Sequence, residues 1–213
     1  MNTLMIHFFC IQNGIDIKKY TNAVKKEIFR KSIHVCTAFV PFLLHYEKIP
    51  VIILLCLAGI FYIICESLRK NGINVPFISA VTAVAARKRD ENHFVLGPVT
   101  LVCGVIICAV LWQESFAAAG IYALAFGDGL ASLCGKMFGR VRIPLTRGKT
   151  VVGSLTCFTA IFCSTWCTLH DTKTAVIAAF AGMLIEVLPL MDFDNLIIPV
   201  VLGGLLQFLF PHI

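Results

Sequence analysis

Long apolar segments separated by short polar ones dominate this chain and predict a bundle of membrane-spanning helices. A helix needs about 17–25 mainly apolar residues to cross a bilayer. Segments near that length recur along the chain, and the first two are short and closely joined, which predicts a helical hairpin. The predicted spans are Ile33–Tyr46, Pro50–Cys65, Val95–Trp112, Phe116–Cys134, Val151–Leu169, Thr174–Leu190 and Leu196–Phe210. We therefore expect an all-α fold, a polytopic membrane bundle of about seven transmembrane helices.

Two further segments have the pattern of helices that lie in the membrane interface. Ile17–Arg30 is basic and carries apolar residues at helical spacing, and Val75–Ala86 is apolar but too short to span a bilayer. We expect a basic interfacial segment over residues 1–31 and a single membrane-embedded domain over residues 32–213.

Composition agrees with this pattern. The 213 residues are 58% hydrophobic and 14% charged, whereas soluble domains are about one quarter charged. The ten cysteines fall mostly in apolar segments, so we interpret them as small buried hydrophobes rather than as disulfides or zinc ligands. A multi-pass integral membrane protein without a large soluble module is expected.

The distribution of positive charge predicts the orientation. Of the 18 lysines and arginines, all but Lys48 and Lys173 fall on one side of the seven-span arrangement. The positive-inside rule makes that side cytoplasmic. The N-terminus is then cytoplasmic and the C-terminus outside, and nearly all unusual polar groups converge on the cytoplasmic face. With basic residues flanking spans, we expect membrane lipids rather than nucleic acid as partners.

Asp128 stands about twelve residues into an apolar run, between Gly127 and Gly129. A carboxylate there costs a few kcal/mol, so its presence indicates function. Because Mg²⁺ takes one or two carboxylates together with phosphate oxygens and water, a magnesium site at Asp128 is the first interpretation. The alternative is a helix-end carboxylate paired with Lys136 or Arg140.

A basic loop follows Asp128 and suits phosphate binding. Arginine matches phosphate oxygens with two donors, and lysine acts as a point charge. Gly153-Ser154 at the start of a span offers a helix N-terminus, which favours anions. Gly148-Lys149-Thr150 resembles the end of a P-loop, but Ile143 replaces its first glycine and no strand precedes it. The basic residues are Lys136, Arg140, Arg142, Arg147 and Lys149. The alternative is a loop that only fixes orientation and contacts lipid headgroups.

Other polar groups are candidates for the same face. Helical spacing places Glu27, Arg30, Lys31 and His34 on neighbouring faces of one helix, where Glu27 and Lys31 could simply pair. Glu186 lies within a span, and Asp192, Asp194 and Asn195 follow it. Arg87 to His93 form a charged segment before Gly97-Pro98, with a solvated loop as the alternative.

These motifs, in this order, resemble the CTP-dependent lipid kinases, a family that includes dolichol kinase, phytol kinase and yeast-type diacylglycerol kinase and is related to the phosphatidate cytidylyltransferases. Together they cover residues 27 to about 200. The matching elements are Glu27-x-x-Arg30-Lys31-x-x-His34, His93-x-x-x-Gly97-Pro98, Gly127-Asp128-Gly129-x-Ala131-Ser132-x-x-Gly135-x-x-x-Gly139, Lys149-x-x-x-Gly153-Ser154 and Asp194-Asn195 with Ile198-Pro199. One departure is Phe193, which separates Asp192 from Asp194.

The resemblance implies transfer of the γ-phosphate of CTP to a lipid alcohol of the diacylglycerol, phytol or polyprenol class, with Mg²⁺ as cofactor. The implied catalytic residues are Asp128, Glu186, Asp194 and His34, with Asp128 and Asp194 as metal ligands. The implied nucleotide- and phosphate-binding residues are Arg30, Lys31, Gly127, Gly129, Lys136, Arg140, Arg147, Lys149, Gly153, Ser154 and Asn195.

Three matters stay open at this level. A phosphatidate cytidylyltransferase would use the same nucleotide and metal, but would release pyrophosphate and a CDP-lipid. A non-enzymatic lipid-binding or transport protein is less well supported, because the chain has no internal repeat and its polar groups lie near one interface rather than the midplane. Gly135-x-x-x-Gly139 also resembles a helix-packing motif, which leaves a homodimer open.

Overall fold

The computed structural model describes residues 17–73, 75–76, 82, 93–146 and 148–210, and these ranges are almost entirely helical. A π-helical segment, Ala123–Asp128, joins α5 to α6. The helices are α1 Ile17–Cys36, α2 Phe39–Tyr46, α3 Lys48–Lys70, α4 Gly97–Leu111, α5 Glu114–Tyr122, α6 Gly129–Phe138, α7 Val151–Leu169, α8 Thr172–Val187 and α9 Asp194–Leu209. Within these ranges the extended pairing is one antiparallel bridge between Arg142 and Thr150, so the all-α class is confirmed.

Three helices in the described part of the chain are long and apolar enough to cross a membrane. They are Lys48–Lys70, the continuous helix Glu114–Phe138, and Val151–Leu169. Gly97–Leu111 and Asp194–Leu209 are apolar but shorter. The described residues therefore form a helical bundle with three helices of membrane-spanning length and composition, while the count of seven spans and the orientation of the termini stay predictions.

The first predicted span is divided in the structure. Helix α1 ends at Cys36 and α2 begins at Phe39. Pro41 has no N–H group to donate to the carbonyl of Thr37, four residues earlier, and a helix is weakened where that bond is lost. The Thr37 hydroxyl donates to the carbonyl of His34 at 2.6 Å. The break lets α1 and α2 contact different parts of the bundle.

The helix that runs from α5 through α6 forms the centre of the bundle. Its Phe116, Ile121 and Leu124 are fully buried, and it packs against α7 on one side and α9 on the other. Small residues bring these helices close together, as is common in membranes. A methyl group on Gly120 would lie 2.4 Å from the carbonyl oxygen of Pro199, so α5 and α9 are in backbone contact there.

Helix α1 is continuous across the predicted boundary at residue 31 and packs against α6. Its inward face is formed by Val24, Glu27, Lys31 and His34, all buried. Most of the second predicted interfacial segment, Val75–Ala86, and the basic cluster over residues 87–92 lie outside the described residues.

Candidate functional site

Asp128 is the last residue of the π-helical segment. Such segments are rare and often occur at functional sites. The preceding Gly127 packs against α7, because a methyl group there would lie 2.7 Å from Cγ1 of Ile161. Gly129 is less restricted, since its nearest neighbour would be Cγ2 of Val35 at 3.4 Å. Gly127 is therefore required by helix packing, whereas Gly129 leaves space beside the carboxylate.

Asp128 forms a buried ion pair with Lys31 of α1. The Lys31 ammonium donates to Oδ2 of Asp128, and the two side chains are 2% and 1% exposed. Nδ1 of His34 lies 3.2 Å from the same oxygen, without the geometry of a hydrogen bond. The alternative pairing of Asp128 with Lys136 or Arg140 is therefore wrong. Two of the motifs singled out in the sequence meet at one carboxylate.

Glu27 organises a second group of charges on the same helix. It accepts hydrogen bonds from Nη2 of Arg30 and from Nζ of Lys136 at 3.2 Å, and Lys136 also donates to the carbonyl of Ala23 at 2.9 Å. The simple pairing of Glu27 with Lys31 is therefore wrong. Burial by itself would raise the pKa of Glu27, but Arg30, Lys31 and Lys136 together hold it below its ordinary value.

Lys149 and Glu186 form a third ionic contact, between the loop after α6 and helix α8. Nζ of Lys149 donates to Oε1 of Glu186 at 2.5 Å, and the hydroxyl of Ser154 donates to Oε2 at 3.3 Å. Burial by itself lowers the pKa of Lys149, but Asp128, Glu186 and Asp194 raise it above its ordinary value. The ammonium of Lys149 thus lies in the combined field of three carboxylates from three helices.

The glycines of the basic loop pack around Thr150. Methyl groups on Gly135 and Gly139 would lie 2.8 Å and 2.4 Å from the Thr150 hydroxyl oxygen. That hydroxyl caps α7 by accepting from the N–H of Gly153 at 3.2 Å. In this arrangement the Gly135-x-x-x-Gly139 motif brings α6 close to the start of α7, and the Gly153 N–H has a partner inside the protein.

Asp194 and Asn195 lie beside the same cluster, at the start of α9. A small cleft of about 50 Å³ is lined by both residues together with Lys31 and His34. The side-chain amide of Asn195 donates to the carbonyl of Gly97 at 3.2 Å and to the Thr100 hydroxyl at 3.3 Å. Asn195 therefore joins α9 to α4, and it places Asp194 at the edge of the cleft.

One predicted phosphate ligand is not brought to the cluster, and a second cannot be placed. Arg140 is exposed in the loop between α6 and α7, and Arg147 lies outside the described residues. Near them the loop is closed by backbone hydrogen bonds, from Ile143 N–H to Lys149 and from Val151 N–H to Val141. Lys149 is consequently the cation that this loop delivers to the described site.

Glu66 is a buried carboxylate that the sequence reasoning missed. It is 0% exposed and accepts two hydrogen bonds from Arg69, at 2.7 and 2.8 Å, and one from the N–H of Val95 at 2.9 Å. It therefore ties the end of α3 to the segment before α4, next to the cleft. Its signal in the sequence is the i, i+3 spacing to Arg69 directly after a predicted span.

A metal ion that shares its ligands with a phosphate needs only one or two protein carboxylates. Among the described residues, no three His, Cys, Asp or Glu side chains lie close enough together to enclose a metal by themselves. Oδ1 of Asp128 accepts only a long contact, 3.5 Å from the Ser132 hydroxyl, in the described structure. A hard carboxylate oxygen with remaining capacity matches the preference of Mg²⁺ for carboxylate, phosphate and water ligands.

Comparison with known proteins finds no matching family model and no matching solved structure. Curated relatives do match. The chain is 25% identical over 168 residues to probable phytol kinase 1, chloroplastic, of Glycine max, which covers 70% of this chain and 55% of that protein. It is 33% identical over 79 residues to farnesol kinase, chloroplastic, of Arabidopsis thaliana, covering 36% of this chain and 26% of that protein.

A third relative differs in source and acceptor. CTP-dependent diacylglycerol kinase 1 of Saccharomyces cerevisiae is 25% identical over 148 residues, which is 67% of this chain and 50% of that protein. The chain thus spans about half the length of the first curated relatives that it matches. The resemblance noted in the motifs is confirmed, and the chain is related to the family of phytol kinase, farnesol kinase and CTP-dependent diacylglycerol kinase.

Proposed function

We propose that this protein transfers the γ-phosphoryl group of CTP to the hydroxyl group of a membrane lipid alcohol at the cytoplasmic face. The observation that carries the proposal is the meeting of Lys31, His34 and Asp128. These residues come from two motifs of the lipid-kinase resemblance, and their side chains are buried together in the helical bundle. The names of the relatives, which are phytol, farnesol and diacylglycerol kinases, support the reaction class.

The cations of the site have the roles that phosphoryl transfer requires. The reaction depends mainly on positioning the phosphates and neutralising their charge. Lys31, Lys136 and Lys149 each contact a carboxylate of the protein, which fixes the position of each ammonium group. We assign these lysines, with Arg30, to the triphosphate, while Arg140 and Arg147 stay predictions from the sequence.

The hydroxyl proton needs an acceptor, and we assign that role to His34. The lipid hydroxyl oxygen forms a bond to the γ-phosphorus, the bond from that phosphorus to the β,γ-bridging oxygen breaks, and CDP leaves. His34 is buried, and its Nδ1 has no hydrogen-bond partner in the described structure. Asp128, 3.2 Å away, would stabilise the imidazolium that forms when the proton arrives.

Mg²⁺ fits the proposed reaction as a cofactor, with Asp128 and Asp194 as its protein ligands. When bound, it would neutralise charge on the phosphate oxygens. Glu186 is better placed to hold Lys149 and Ser154 than to join these ligands, because both of its oxygens already accept hydrogen bonds from them.

The experiment that tests the function follows two labels in CTP. Purified protein is supplied with CTP labelled in the γ- or the α-phosphate, with ATP as a comparison, and with diacylglycerol, phytol, farnesol, a polyprenol or phosphatidate. We expect the γ-label in a lipid phosphate and the α-label in CDP, and no turnover by Asp128→Asn. An α-label in the lipid together with pyrophosphate would instead identify a cytidylyltransferase. Turnover with ATP alone would overturn the assignment of the donor.

A further inference from the structure

A large groove lies on the side of the central helix that faces away from Asp128. It has a volume of about 730 Å³ and runs between α2, the α5–α6 helix and α7. Tyr122, Phe126 and Leu130 follow one another at four-residue intervals and line it, so they share one face of the helix. Asp128, which contacts Lys31 on α1, points to the other face.

The walls of the groove are mainly apolar, and some of their polar side chains are hydrogen-bonded within the protein. Its polar side chains on α7 include Ser164 and Thr168, and both hydroxyls donate to carbonyls of their own helix, at 3.2 and 2.8 Å. A pair formed by His45 and Glu114, with 2.5 Å between Nδ1 and Oε1, stands at one end. Ser115 and Tyr122 add two further hydroxyl groups to the lining, and most of the other lining residues are apolar.

The position of the groove determines what can fill it. Two of its walls belong to helices of membrane-spanning length, Glu114–Phe138 and Val151–Leu169. From Ser115 to Leu130, both lining residues, a helix rises about 22 Å at roughly 1.5 Å per residue. That length exceeds half of a hydrocarbon core about 30 Å thick. The groove therefore lies at the depth of lipid chains, and a hydrocarbon chain is the occupant that matches its lining.

One end of the groove lies near the depth of Asp128 along the central helix. Leu130 lines the end opposite His45 and Glu114, and it lies two residues beyond Asp128 along the same helix, a rise of about 3 Å. A lipid whose chain lies in the groove with its polar end at Leu130 has its hydroxyl at the depth of the Asp128 carboxylate. Reaction at Asp128 then requires the hydroxyl group to pass around the helix at this level.

We propose that this groove binds the hydrocarbon chain of the lipid alcohol substrate and thereby selects long-chain over short-chain acceptors. The proposal rests on the proposed kinase function, because it assigns the acceptor half of that site. It predicts a preference that depends on chain length and leaves nucleotide binding unaffected.

Substitutions that fill the groove test this assignment. Ala118 and Ala160 line it from opposite helices, and Ala118→Phe and Ala160→Phe would each occupy space that the chain needs. Ala58→Phe is the matched control, since Ala58 is exposed on α3 and is not among the lining residues. Rates are measured with long-chain and short-chain alcohols of the same headgroup at saturating CTP.

We expect KM for the long-chain alcohol to rise about tenfold or more in the groove variants, equivalent to roughly 1.4 kcal/mol. The short-chain alcohol should be used as well as by the wild type, and Ala58→Phe should change neither. Equal losses for both alcohols, or no loss for either, would overturn the proposal.

A second measurement is independent of turnover. A photoreactive long-chain alcohol is crosslinked to the wild-type protein in vesicles, in parallel with a photoreactive phospholipid that lacks a free hydroxyl, and the labelled peptides are mapped. We expect the alcohol to label α5–α6 and α7 more strongly than the phospholipid does. Equal labelling would show a bulk-lipid groove and overturn the proposal. Preferential labelling without kinase turnover would support the groove while refuting the kinase function.

Discussion

Lys31 and Asp128 are 97 positions apart in the sequence, yet their side chains form an ion pair in the protein interior. Breaking a buried pair leaves an uncompensated charge and costs about 3–5 kcal/mol. We therefore expect Asp128→Asn and Lys31→Gln each to destabilise the protein by about this amount. The double variant should recover much of the loss, because neither charge remains. Thermal unfolding of the purified variants measures the three free energies.

Activity separates this structural role from a catalytic one. If Asp128 acts on the phosphates, the double variant should stay at least ~100-fold less active than the wild type, the size of effect seen when a transition-state contact is removed. Recovery of activity along with stability would show that the pair only holds α1 against α6.

Both members of this pair stand out in the sequence, but the sequence does not indicate that they pair with each other. Asp128 is conspicuous because a carboxylate is costly within an apolar run, and Lys31 because it lies just before a predicted span. Which cation reaches Asp128 depends on how α1 crosses α6, and helical spacing within either segment carries no information about that. Lys136 is nearer in the chain, yet it contacts Glu27 instead.

Glu66 is a residue whose importance was not predicted from the sequence. Its segment ends a predicted span next to Arg69 and Lys70, so these residues indicate orientation rather than a buried contact. Burial of Glu66 follows from Val95, which arrives from 29 positions away. The helices themselves were largely predictable from apolar length, whereas the convergence of the polar residues on the cytoplasmic face stays a prediction. The π-helical segment was not predicted by the apolar pattern, and neither was the packing of its Gly127 against Ile161.

The two glycines beside Asp128 should respond differently to the same substitution. Gly127→Ala places a methyl group 2.7 Å from Cγ1 of Ile161, whereas Gly129→Ala meets Cγ2 of Val35 at 3.4 Å, an ordinary contact. Overpacking costs about 1–3 kcal/mol, so Gly127→Ala should lower both stability and activity. Combining it with Ile161→Ala, which removes the clashing atoms, should restore part of the activity.

Gly129→Ala serves as the matched comparison and should fold with wild-type stability. Its KM for CTP then tests whether Gly129 gives the nucleotide access to the carboxylate, as the sequence predicts. A rise in KM without a change in unfolding temperature would support that role. Equal unfolding temperatures for Gly127→Ala and Gly129→Ala would contradict the packing argument.

Glu66→Gln should destabilise the protein without any direct effect on chemistry. The substitution removes the charge that accepts three hydrogen bonds from Arg69 and Val95, and hydrogen bonds to charged groups contribute about 1.5–3 kcal/mol. Unfolding in denaturant provides the measurement. Glu47→Gln is the control, because Glu47 is exposed before α3 and should change stability by less than about 0.5 kcal/mol. A similar small change in Glu66→Gln would show that the contact contributes nothing.

The lowered pKa of Glu27 predicts that the stability of the protein decreases in acid. Its pKa is lowered in the folded protein, since its cationic neighbours outweigh the effect of burial. A group with a lowered pKa stabilises the fold above its unfolded pKa, about 4.3 for glutamate, and this contribution is lost as the pH falls through the folded value. The wild type should therefore exceed Glu27→Gln in stability near neutral pH, and the difference should shrink in acid.

The pH series is measured by thermal unfolding of both proteins. Lys136→Gln provides the second arm, because it removes one of the cations responsible for the lowered pKa. The acid-dependent difference should become smaller in that background. A difference between wild type and Glu27→Gln that is constant with pH would show that the carboxylate is not stabilised by these neighbours.

Lys149 and Glu186 allow a phosphate contact to be distinguished from a metal ligand. If Lys149 binds the triphosphate, Lys149→Met should raise KM for CTP about tenfold or more, because a charged hydrogen bond is worth roughly 1.5–3 kcal/mol and 1.4 kcal/mol is tenfold. Glu186→Gln retains the side-chain shape but weakens the orientation of Lys149. We expect a smaller rise in KM, nearly unchanged kcat and the same dependence on Mg²⁺ concentration.

The sequence placed Glu186 among the catalytic carboxylates, and the kinetics separate that role from positioning. A metal ligand or proton acceptor would show itself by a collapse of kcat in Glu186→Gln and a shifted Mg²⁺ requirement. Ser154→Ala, which removes the 3.3 Å contact to Oε2 but leaves Lys149 in place, is the matched control and should affect KM least.

Because Asp128, Glu186 and Asp194 raise the pKa of Lys149 despite its burial, its ion pair should stabilise the protein below about pH 10.4, the ordinary lysine value. That stabilisation is lost as the pH rises through the higher folded value, and in Glu186→Gln the loss should begin at lower pH.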